Sequence, residues 1–216
     1  MATLLGAAEI REIAARIGVS PTKKLGQNFV VDANTCRRIV KVADVNSDDV
    51  ALEIGPGLGS LTLALLEIAK SVVAVEIDPR LAQELPNTAA THGFESERLI
   101  VVNEDALTTE SLPLDPTILV ANLPYNVSVP VLLHFLQKFP TIRSGVVMVQ
   151  SEVADRLIAK PGSKTYGSPS VKATWWADMS GAGNVADRSF GQFLMWTLRW
   201  CDLSGMKLRA MKESER

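Results

Sequence analysis

The stretch Asp49–Asp78, DVALEIGPGLGSLTLALLEIAKSVVAVEID, decides the fold of this chain. An apolar run at 50–54 precedes three glycines at alternate positions, and an apolar helical pattern and a second apolar run, Ser71–Val75, follow. Short apolar runs with few charges are typical of buried parallel strands. Glycines permit a tight turn and let a ligand lie against bare main chain, and the start of the next helix offers free N–H groups. The order strand, glycine turn, helix, strand therefore predicts a nucleoside-binding α/β unit.

An acid ends the second strand of this unit. A carboxylate at that point, Glu76, can accept both hydroxyls of a ribose. The spacing G-x-G-x-G differs from the dinucleotide fingerprint G-x-G-x-x-G and resembles motif I of S-adenosylmethionine-dependent methyltransferases. The alternative is that the glycines serve only a tight turn. The resemblance implies S-adenosylmethionine as cofactor, bound by Gly55, Gly57, Gly59, Glu76 and Ile77.

Composition places the chain among ordinary globular proteins. Its 216 residues, 47% hydrophobic and 21% charged, suffice for one α/β core. No apolar run approaches the roughly 20 residues of a membrane span, and the first residues lack a signal-peptide core, so we expect a cytoplasmic protein without a membrane partner. Cys36 and Cys201 lie far apart and no histidine has a metal-ligand spacing, so no metal is expected. A net charge of −2 argues against nonspecific coating of nucleic acid but leaves room for a local basic patch.

Basic residues cluster in the first forty or so positions. A helix is predicted over Ala7–Ile17, ended by Gly18, and a second over Ala33–Val42 with Asp32 as its N-cap. Four cations in this region are candidates for RNA phosphates, the alternative being a solvated loop and helix face. They are Lys23, Lys24, Arg37 and Arg38.

The rest of the chain continues the alternation of strands and helices. This pattern predicts a Rossmann-like α/β fold with a mostly parallel sheet and helices on both faces. Strands are predicted at Arg98–Val102, Thr117–Ala121, Gly145–Gln150 and Val171–Ala177, and helices at Pro79–Leu85, Ser128–Phe139 and Glu152–Lys160.

The tetrapeptide Asn122-Leu123-Pro124-Tyr125 directly follows the predicted fourth strand. Asn-Leu-Pro-Tyr sequences resemble those of methyltransferases that modify a planar exocyclic amine. The lone pair of adenine N6 is delocalised into the ring, so the amine is a poor nucleophile. An amide oxygen (Asn122) and a main-chain carbonyl (Leu123 or Pro124) can accept its two hydrogens, and Tyr125 can stack on the base. Positioning supplies much of the rate in such a reaction, so the four residues are predicted to be catalytic.

The segment Lys24–Phe29, KLGQNF, resembles the K-x-x-L-G-Q-N-F signature of the ribosomal RNA adenine dimethyltransferase family. The resemblance implies dimethylation of N6 on two adjacent adenines in a loop of small-subunit (16S) rRNA, within a pre-ribosomal particle. We expect a monomer. In the family, this segment folds over the cofactor, and an acid after the third strand bonds the cofactor's adenine amine. The matching residues are Gln27, Asn28, Val30, Asp105 and Ala106, with Asn122 also against the cofactor.

Three other functions remain open. Another methyltransferase, acting on DNA adenine or a protein glutamine, is disfavoured by the segment Gln27–Phe29. A noncatalytic RNA-binding or assembly factor can use the same fold. A large-subunit resistance methylase shares the signature, but the motifs E-I-G-P-G-L-G and V-A-N-L-P-Y resemble those of the small-subunit branch more closely.

The resemblance stops near Val185. This predicts a methyltransferase domain at 1–185 and a tail at 186–216 outside the family, which we interpret as the product of a frameshift or truncation. The family's F-x-P-x-P segment and helical C-terminal domain are missing. The seventh strand, which lies antiparallel between the fifth and the sixth, would then be lost unless Phe193–Leu198 takes its place. We expect cofactor binding to survive this departure better than catalysis.

Overall fold

A computed structural model describes residues 4–19, 32–124, 126–185 and 193–200, and for 183–185 and 193–200 it describes the backbone alone. Helices and strands alternate along most of this length. The helices are α1 (Ala7–Arg16), α2 (Ala33–Val42), α3 (Ser60–Leu66), α4 (Pro79–Thr91), α5 (Ser128–Lys138), α6 (Ser151–Leu157) and α7 (Ser168–Trp176). The strands are β1 (Val50–Ile54), β2 (Ser71–Val75), β3 (Leu99–Val102), β4 (Ile118–Asn122), β5 (Ser144–Gln150), β6 (Ala177–Val185) and β7 (Phe193–Trp200), and a 3-10 turn spans Ser96–Arg98.

The strands form one seven-stranded sheet in the order β3-β2-β1-β4-β5-β7-β6. The first five strands in this order are parallel to one another, and β7 is antiparallel to both of its neighbours. The order reverses between β1 and β4, and ligands bind at the carboxyl ends of the strands at such a reversal. The predicted fold class and the predicted positions of the first five strands are confirmed, with bounds that shift by one residue at most.

Apolar side chains cover both faces of the sheet. One face packs under α1 to α4, where Ile39, Leu66 and Leu85 are buried together. The other packs under α5 to α7, with Phe135 and Leu157 at its centre. The strands carry few polar side chains because both faces are covered. Helices α1 and α2 were also predicted to within one residue. As expected, Asp32 caps α2 by accepting from the N–H groups of Asn34 and Thr35.

One element was predicted wrongly. Residues 171–177 were predicted to form strand six, but most of them belong to helix α7. Pro169 lies in the first turn of this helix, where its missing N–H costs nothing. The Ser170 hydroxyl accepts from the Gly167 N–H at 3.1 Å, and Ala173 is buried against the sheet. Capping and packing thus override strand propensity, and strand six begins only at Ala177.

The seventh strand is present. The backbone of β7 pairs along the whole of β5, from Ser144 opposite Arg199 to Gln150 opposite Phe193, and along β6 on its other side. The slot expected for Phe193–Leu198 is therefore filled. The domain boundary at 185 stays a prediction, although the sheet continues to Trp200.

A polar cluster lies at the amino ends of the parallel strands. Asp49, which is 1% exposed, accepts from the Thr117 hydroxyl at 2.6 Å, from the Asn46 N–H at 3.0 Å and from Arg143. The same hydroxyl accepts from the Val50 N–H at 3.1 Å. These bonds join the starts of β1, β4 and β5, whose residues are up to 94 positions apart in sequence.

Candidate active site

A cleft of about 220 Å³ opens at the carboxyl ends of β1, β2 and β4. It lies at the reversal of strand order, where the fold predicts a ligand. Eight of the predicted catalytic and cofactor-binding residues meet there. Those that line it are Gly55, Gly57, Glu76, Ile77, Asp105, Ala106, Asn122 and Pro124.

The glycine turn brings main chain to the surface of the cleft. Gly55, Gly57 and Gly59 all have positive φ angles, of 70°, 58° and 99°. The Gly55 N–H donates to the Val75 carbonyl at 2.9 Å, which fixes the turn against β2. Gly55 and Gly57 face the cleft with no side chain, so a ligand can approach their backbone.

The cofactor contact predicted for Gly59 stays a prediction. It is not among the described residues that line the cleft. It precedes α3, and a Cβ atom at this position would lie 2.7 Å from Leu85 Cδ1. Both its φ angle and the close approach of α4 exclude a side chain here. Gly59 therefore supports the packing of α3 on α4.

Glu76 is held in place by main-chain N–H groups. Its Oε2 accepts from Gly57 at 3.2 Å and its Oε1 from Asp78 at 2.9 Å. The side chain lines the cleft and is 4% exposed. Burial raises the pKa of Glu76 above its ordinary value, and the two N–H donors work against that rise. Each carboxylate oxygen keeps a lone pair for a ligand hydroxyl.

A second buried carboxyl, Glu53, lies on the same wall. It is 2% exposed, and its Oε2 accepts from the Thr62 hydroxyl at 2.6 Å. No cation pairs with it among the described residues. Burial raises the pKa of Glu53 to about 8, the Thr62 hydroxyl lowers it and the charge of Glu76 raises it further. At neutral pH this carboxyl is therefore mostly protonated.

The far end of the cleft is apolar on its sides and acidic at its rim. Ile77 and Leu107 are large hydrophobic side chains that are 58% and 37% exposed, and both line the cleft. Asp105 also lines the cleft, and its Oδ1 accepts from the Leu107 N–H at 2.9 Å. The Asn103 amide donates to the Glu76 carbonyl at 2.7 Å, which positions this loop. A flat heteroaromatic ring with an exocyclic amine suits these surroundings.

Asn122 ends β4 on the opposite wall, half-buried and facing the cleft. It pairs in register with Met148 of β5, and the Leu123 N–H donates to the Met148 carbonyl at 3.1 Å. The Pro124 carbonyl accepts from the Val127 N–H at 3.2 Å. Of the two carbonyls predicted to face an amine, Leu123 is the one that accepts no hydrogen bond among the described residues. Tyr125 lies outside the described part of the chain.

Several lining residues were missed from sequence. Leu58, Leu61 and Val131 form apolar patches of the wall, and Glu104 and Asn126 bring further polar groups. Asn126 follows the Asn-Leu-Pro-Tyr tetrapeptide directly, so extending that motif by one residue finds it. Leu58 lies within the glycine turn, and Leu61 and Val131 lie within helical patterns that predicted only burial.

The predicted RNA-binding cations differ in their surroundings. Arg37 donates twice to Glu67, at 2.9 and 2.7 Å, and so joins α2 to α3. Arg38 is exposed and has no acidic partner in the described ranges. Besides Tyr125, five further predicted site residues lie outside those ranges and stay predictions. They are Lys23, Lys24, Gln27, Asn28 and Val30.

The described residues contain no group of three or more His, Cys, Asp or Glu side chains arranged to hold a metal ion. His134, one of the two histidines, bonds the Thr109 carbonyl at 2.7 Å and packs edge-on against Phe135. No helix in the same ranges is long and apolar enough to cross a membrane.

Comparison with known proteins identifies a family. Residues 19–190 match the model described as Ribosomal RNA adenine dimethylase. A protein from Corynebacterium diphtheriae named Ribosomal RNA small subunit methyltransferase A is 61% identical over 191 residues, which cover 88% of this chain and 65% of the relative. A protein of the same name from Arthrobacter sp. is 59% identical over 190 residues, with 88% and 64% covered. The chain thus spans about 65% of the length of these relatives.

Solved structures support the fold. A dimethyladenosine transferase from Plasmodium falciparum superimposes with a TM-score of 0.73 at 27% identity, over 83% of this chain and 66% of that one. The 23S rRNA methyltransferase ErmE gives a TM-score of 0.67 at 30% identity, over 81% and 70%. The described chain therefore has the Rossmann-like fold of S-adenosylmethionine-dependent methyltransferases, as the glycine turn predicted.

Proposed function

The chain belongs to the ribosomal RNA adenine dimethylase family, and from this premise we propose that it methylates N6 of two adjacent adenines in a loop of small-subunit (16S) rRNA. S-adenosylmethionine is the proposed methyl donor. The observation that carries the proposal is the position of Asn122, which lines the same cleft as the glycine turn and Glu76. A base amine on one wall and a methyl donor on the other can meet only in such a cleft.

The residues of the cleft fit the proposed donor. Gly55 and Gly57 offer bare main chain, and Glu76 offers two buried oxygens to a ribose. Asp105 can accept from an adenine amine at the apolar end. When bound, S-adenosylmethionine supplies an electrophilic methyl group on a sulfonium.

The proposed role of Asn122 and Leu123 is to orient the target amine. The Asn122 side-chain oxygen and the Leu123 carbonyl each accept one N6 hydrogen, which holds the nitrogen toward tetrahedral geometry and aims its lone pair at the methyl group. Tyr125 stacks on the base. A single-stranded loop suits this chemistry because its bases can leave the stack at low cost. The reaction needs positioning more than covalent help from the protein.

The cellular setting follows from the same premise. We place the activity on a pre-ribosomal particle in the cytoplasm and the protein there as a monomer. Exposed cations such as Arg38, together with Lys23 and Lys24, are proposed to contact the RNA backbone.

The test is a methyl-transfer assay on unmethylated small-subunit particles, with nucleoside analysis of the RNA by mass spectrometry. We expect N6,N6-dimethyladenosine at two adjacent positions. Its appearance in large-subunit RNA instead would indicate a resistance methylase, and methylation of DNA adenine or of a protein glutamine would indicate another methyltransferase.

A variant separates enzyme from assembly factor. Asn122→Ala should lower kcat by about a hundredfold to a thousandfold, by analogy with the loss of one transition-state hydrogen bond. Binding of the particle should change little. Wild-type protein that binds particles but transfers no methyl group would favour the noncatalytic alternative.

A further inference from the structure

A segment without acidic side chains runs from Arg156 to Ala177, between Asp155 and Asp178. It carries four cations, although the chain as a whole has a net charge of −2. The remainder of the chain is therefore acidic overall, and this segment, like the first forty or so positions, is locally basic. The cations, all exposed, are Arg156, Lys160, Lys164 and Lys172.

These four cations differ from the five described cations elsewhere that form ion pairs with Asp or Glu. Arg16 pairs with Glu84, Arg37 with Glu67 and Lys138 with Glu110, so their charges are locally neutralised. None of the four between Asp155 and Asp178 has an acidic partner among the described residues. Unneutralised cations on one surface attract an anionic partner.

Hydrogen bonds hold the segment in a compact shape. The Ser170 hydroxyl donates to the Arg156 carbonyl at 2.5 Å, which joins the end of α6 to the start of α7. In the connection between the helices, Ser163 N–H donates to the Lys160 carbonyl and Tyr166 N–H to the Ser163 carbonyl, at 3.1 and 3.2 Å. The cations therefore stand on an ordered scaffold.

An exposed aromatic side chain stands among the cations. Tyr166, between Lys164 and Lys172, is 38% exposed. Single-stranded nucleic acids are bound by this combination, in which cations track the phosphates and an aromatic ring stacks on a base. An acidic protein partner would use the cations but has no need of the ring.

The segment begins close to the carboxyl ends of β4 and β5, where the proposed catalytic residues lie. Met148 of β5 pairs with Asn122, and α6 starts at Ser151, directly after β5. Seven residues of α6 span about 10 Å. Arg156 and the connection that follows thus lie within reach of an RNA strand whose base occupies the cleft.

We propose that Arg156, Lys160, Lys164, Tyr166 and Lys172, here called the α6–α7 basic surface, bind the single-stranded RNA that flanks the target adenines. The proposal rests on the proposed function, because it assigns a second contact to the same substrate. The cations hold the phosphates and Tyr166 stacks on a flanking base.

The first experiment compares two pairs of charge-removing substitutions in the full chain. Lys160→Gln with Lys164→Gln should weaken binding of a fluorescent RNA hairpin, with two adjacent adenines in its loop, by about ten- to thirtyfold at 0.1 M salt. The dependence of log affinity on log salt should become shallower by about 1.4. The matched control is Arg11→Gln with Lys70→Gln. It removes two exposed cations that, like Lys160 and Lys164, have no acidic partner among the described residues, and it should change affinity less than twofold.

The methyl-transfer assay supplies a second readout. In the Lys160→Gln, Lys164→Gln variant, the RNA concentration for half-maximal rate should rise by the same factor while kcat and S-adenosylhomocysteine affinity stay at wild-type values. Equal behaviour of the two double variants would overturn the proposal. So would a loss of affinity for intact particles without a loss for deproteinised rRNA, because the surface would then bind a ribosomal protein.

Tyr166→Ala tests the stacking contact. It should weaken hairpin binding about fivefold or more without changing the salt dependence, and an unchanged affinity would remove Tyr166 from the surface. Failure of the proposed function gives a different result. If wild-type protein transfers no methyl group, the hairpin titrations still report whether the α6–α7 basic surface binds RNA.

Discussion

The surroundings of buried acids differ between the two ends of the parallel strands. At the amino end of β1, Asp49 accepts from a hydroxyl, a main-chain N–H and a guanidinium. Four residues later, towards the carboxyl end of the same strand, Glu53 is just as buried but accepts from a single hydroxyl. Complete pairing of a buried charge favours a stable fold, whereas an unpaired carboxyl is costly to ionise. The hydrogen bonds at the amino end of the strands therefore stabilise the fold, whereas the carboxyl end keeps polar groups that can bind a ligand.

The largest change in stability should come from Asp49→Ala. The substitution leaves the Thr117 hydroxyl and the Asn46 N–H without their acceptor and should lower the free energy of unfolding by about 3 kcal/mol. Methyl transfer per folded molecule should stay near the wild-type value, because the cleft is a full strand away. Chemical denaturation and an assay at low temperature measure the two effects.

The control for Asp49 is its neighbour. Asp48 is exposed, so Asp48→Ala should change the free energy of unfolding by less than about 0.5 kcal/mol. A comparable loss in both variants would mean that the polar cluster contributes little.

Glu53→Gln should flatten the dependence of stability on pH. A folded-state pKa of about 8 exceeds the ordinary value, so the folded state binds more protons than the unfolded state between about pH 4.5 and pH 8. Stability of the wild type therefore falls as pH rises through that window. The fall from pH 5 to pH 7 should be about 2–3 kcal/mol, and the glutamine, which stays neutral, should remove most of it.

Denaturation curves at several pH values, with Glu152→Gln as an exposed control, measure this slope. If the free energy of unfolding depended on pH equally in wild type and in Glu53→Gln, the carboxyl of Glu53 would have the same pKa in the folded and unfolded states. The contrast between Asp49 and Glu53 would then be contradicted.

Gly59→Ala should destabilise by about 1–2 kcal/mol through backbone strain and the approach of Leu85. Gly93→Ala is a matched control, because Gly93 also has a positive φ but has nothing within 4 Å of an added Cβ. The difference between the two variants isolates the packing contribution. Cofactor affinity per folded molecule should be unchanged in Gly59→Ala, and a specific loss would support the contact predicted from sequence.

The smallest effect should follow Arg37→Ala. Its ion pair with Glu67 lies on the surface, with Arg37 44% exposed, so solvent screens the pair and chemical denaturation should show almost no change in the free energy of unfolding. Arg38→Ala, which breaks no ion pair among the described residues, should weaken RNA binding more than Arg37→Ala does. Titrations of labelled RNA would contradict this if the two variants were equal.

Sequence reasoning worked where local pattern decides structure. The glycine turn, its flanking strands and the Asn122 position depend on residues close together in the chain, and all were predicted. Helix α7 was missed because capping by Ser170 and burial of Ala173 outweigh the strand propensity of its β-branched and aromatic residues.

The charge pairing could not be predicted from pattern. Asp49 meets Arg143 across 94 positions, and Glu53 meets Thr62 only because the glycine turn folds α3 back onto β1. The raised pKa of Glu53 is a product of burial, which depends on the complete fold. Sequence showed that Glu53 precedes the glycines but not how its carboxyl is surrounded.

The place of β7 has a consequence for how the chain folds during synthesis. This strand, far along the chain, enters the interior of the sheet between β5 and β6. Until Phe193–Trp200 has left the exit tunnel, a nascent chain presents one whole side of β5 unpaired, and its apolar residues Val146, Val147 and Val149 belong to the core. Such an open strand edge invites association with other chains. The time between translation of Gln150 and of Trp200 is therefore the period in which a chaperone has most to protect.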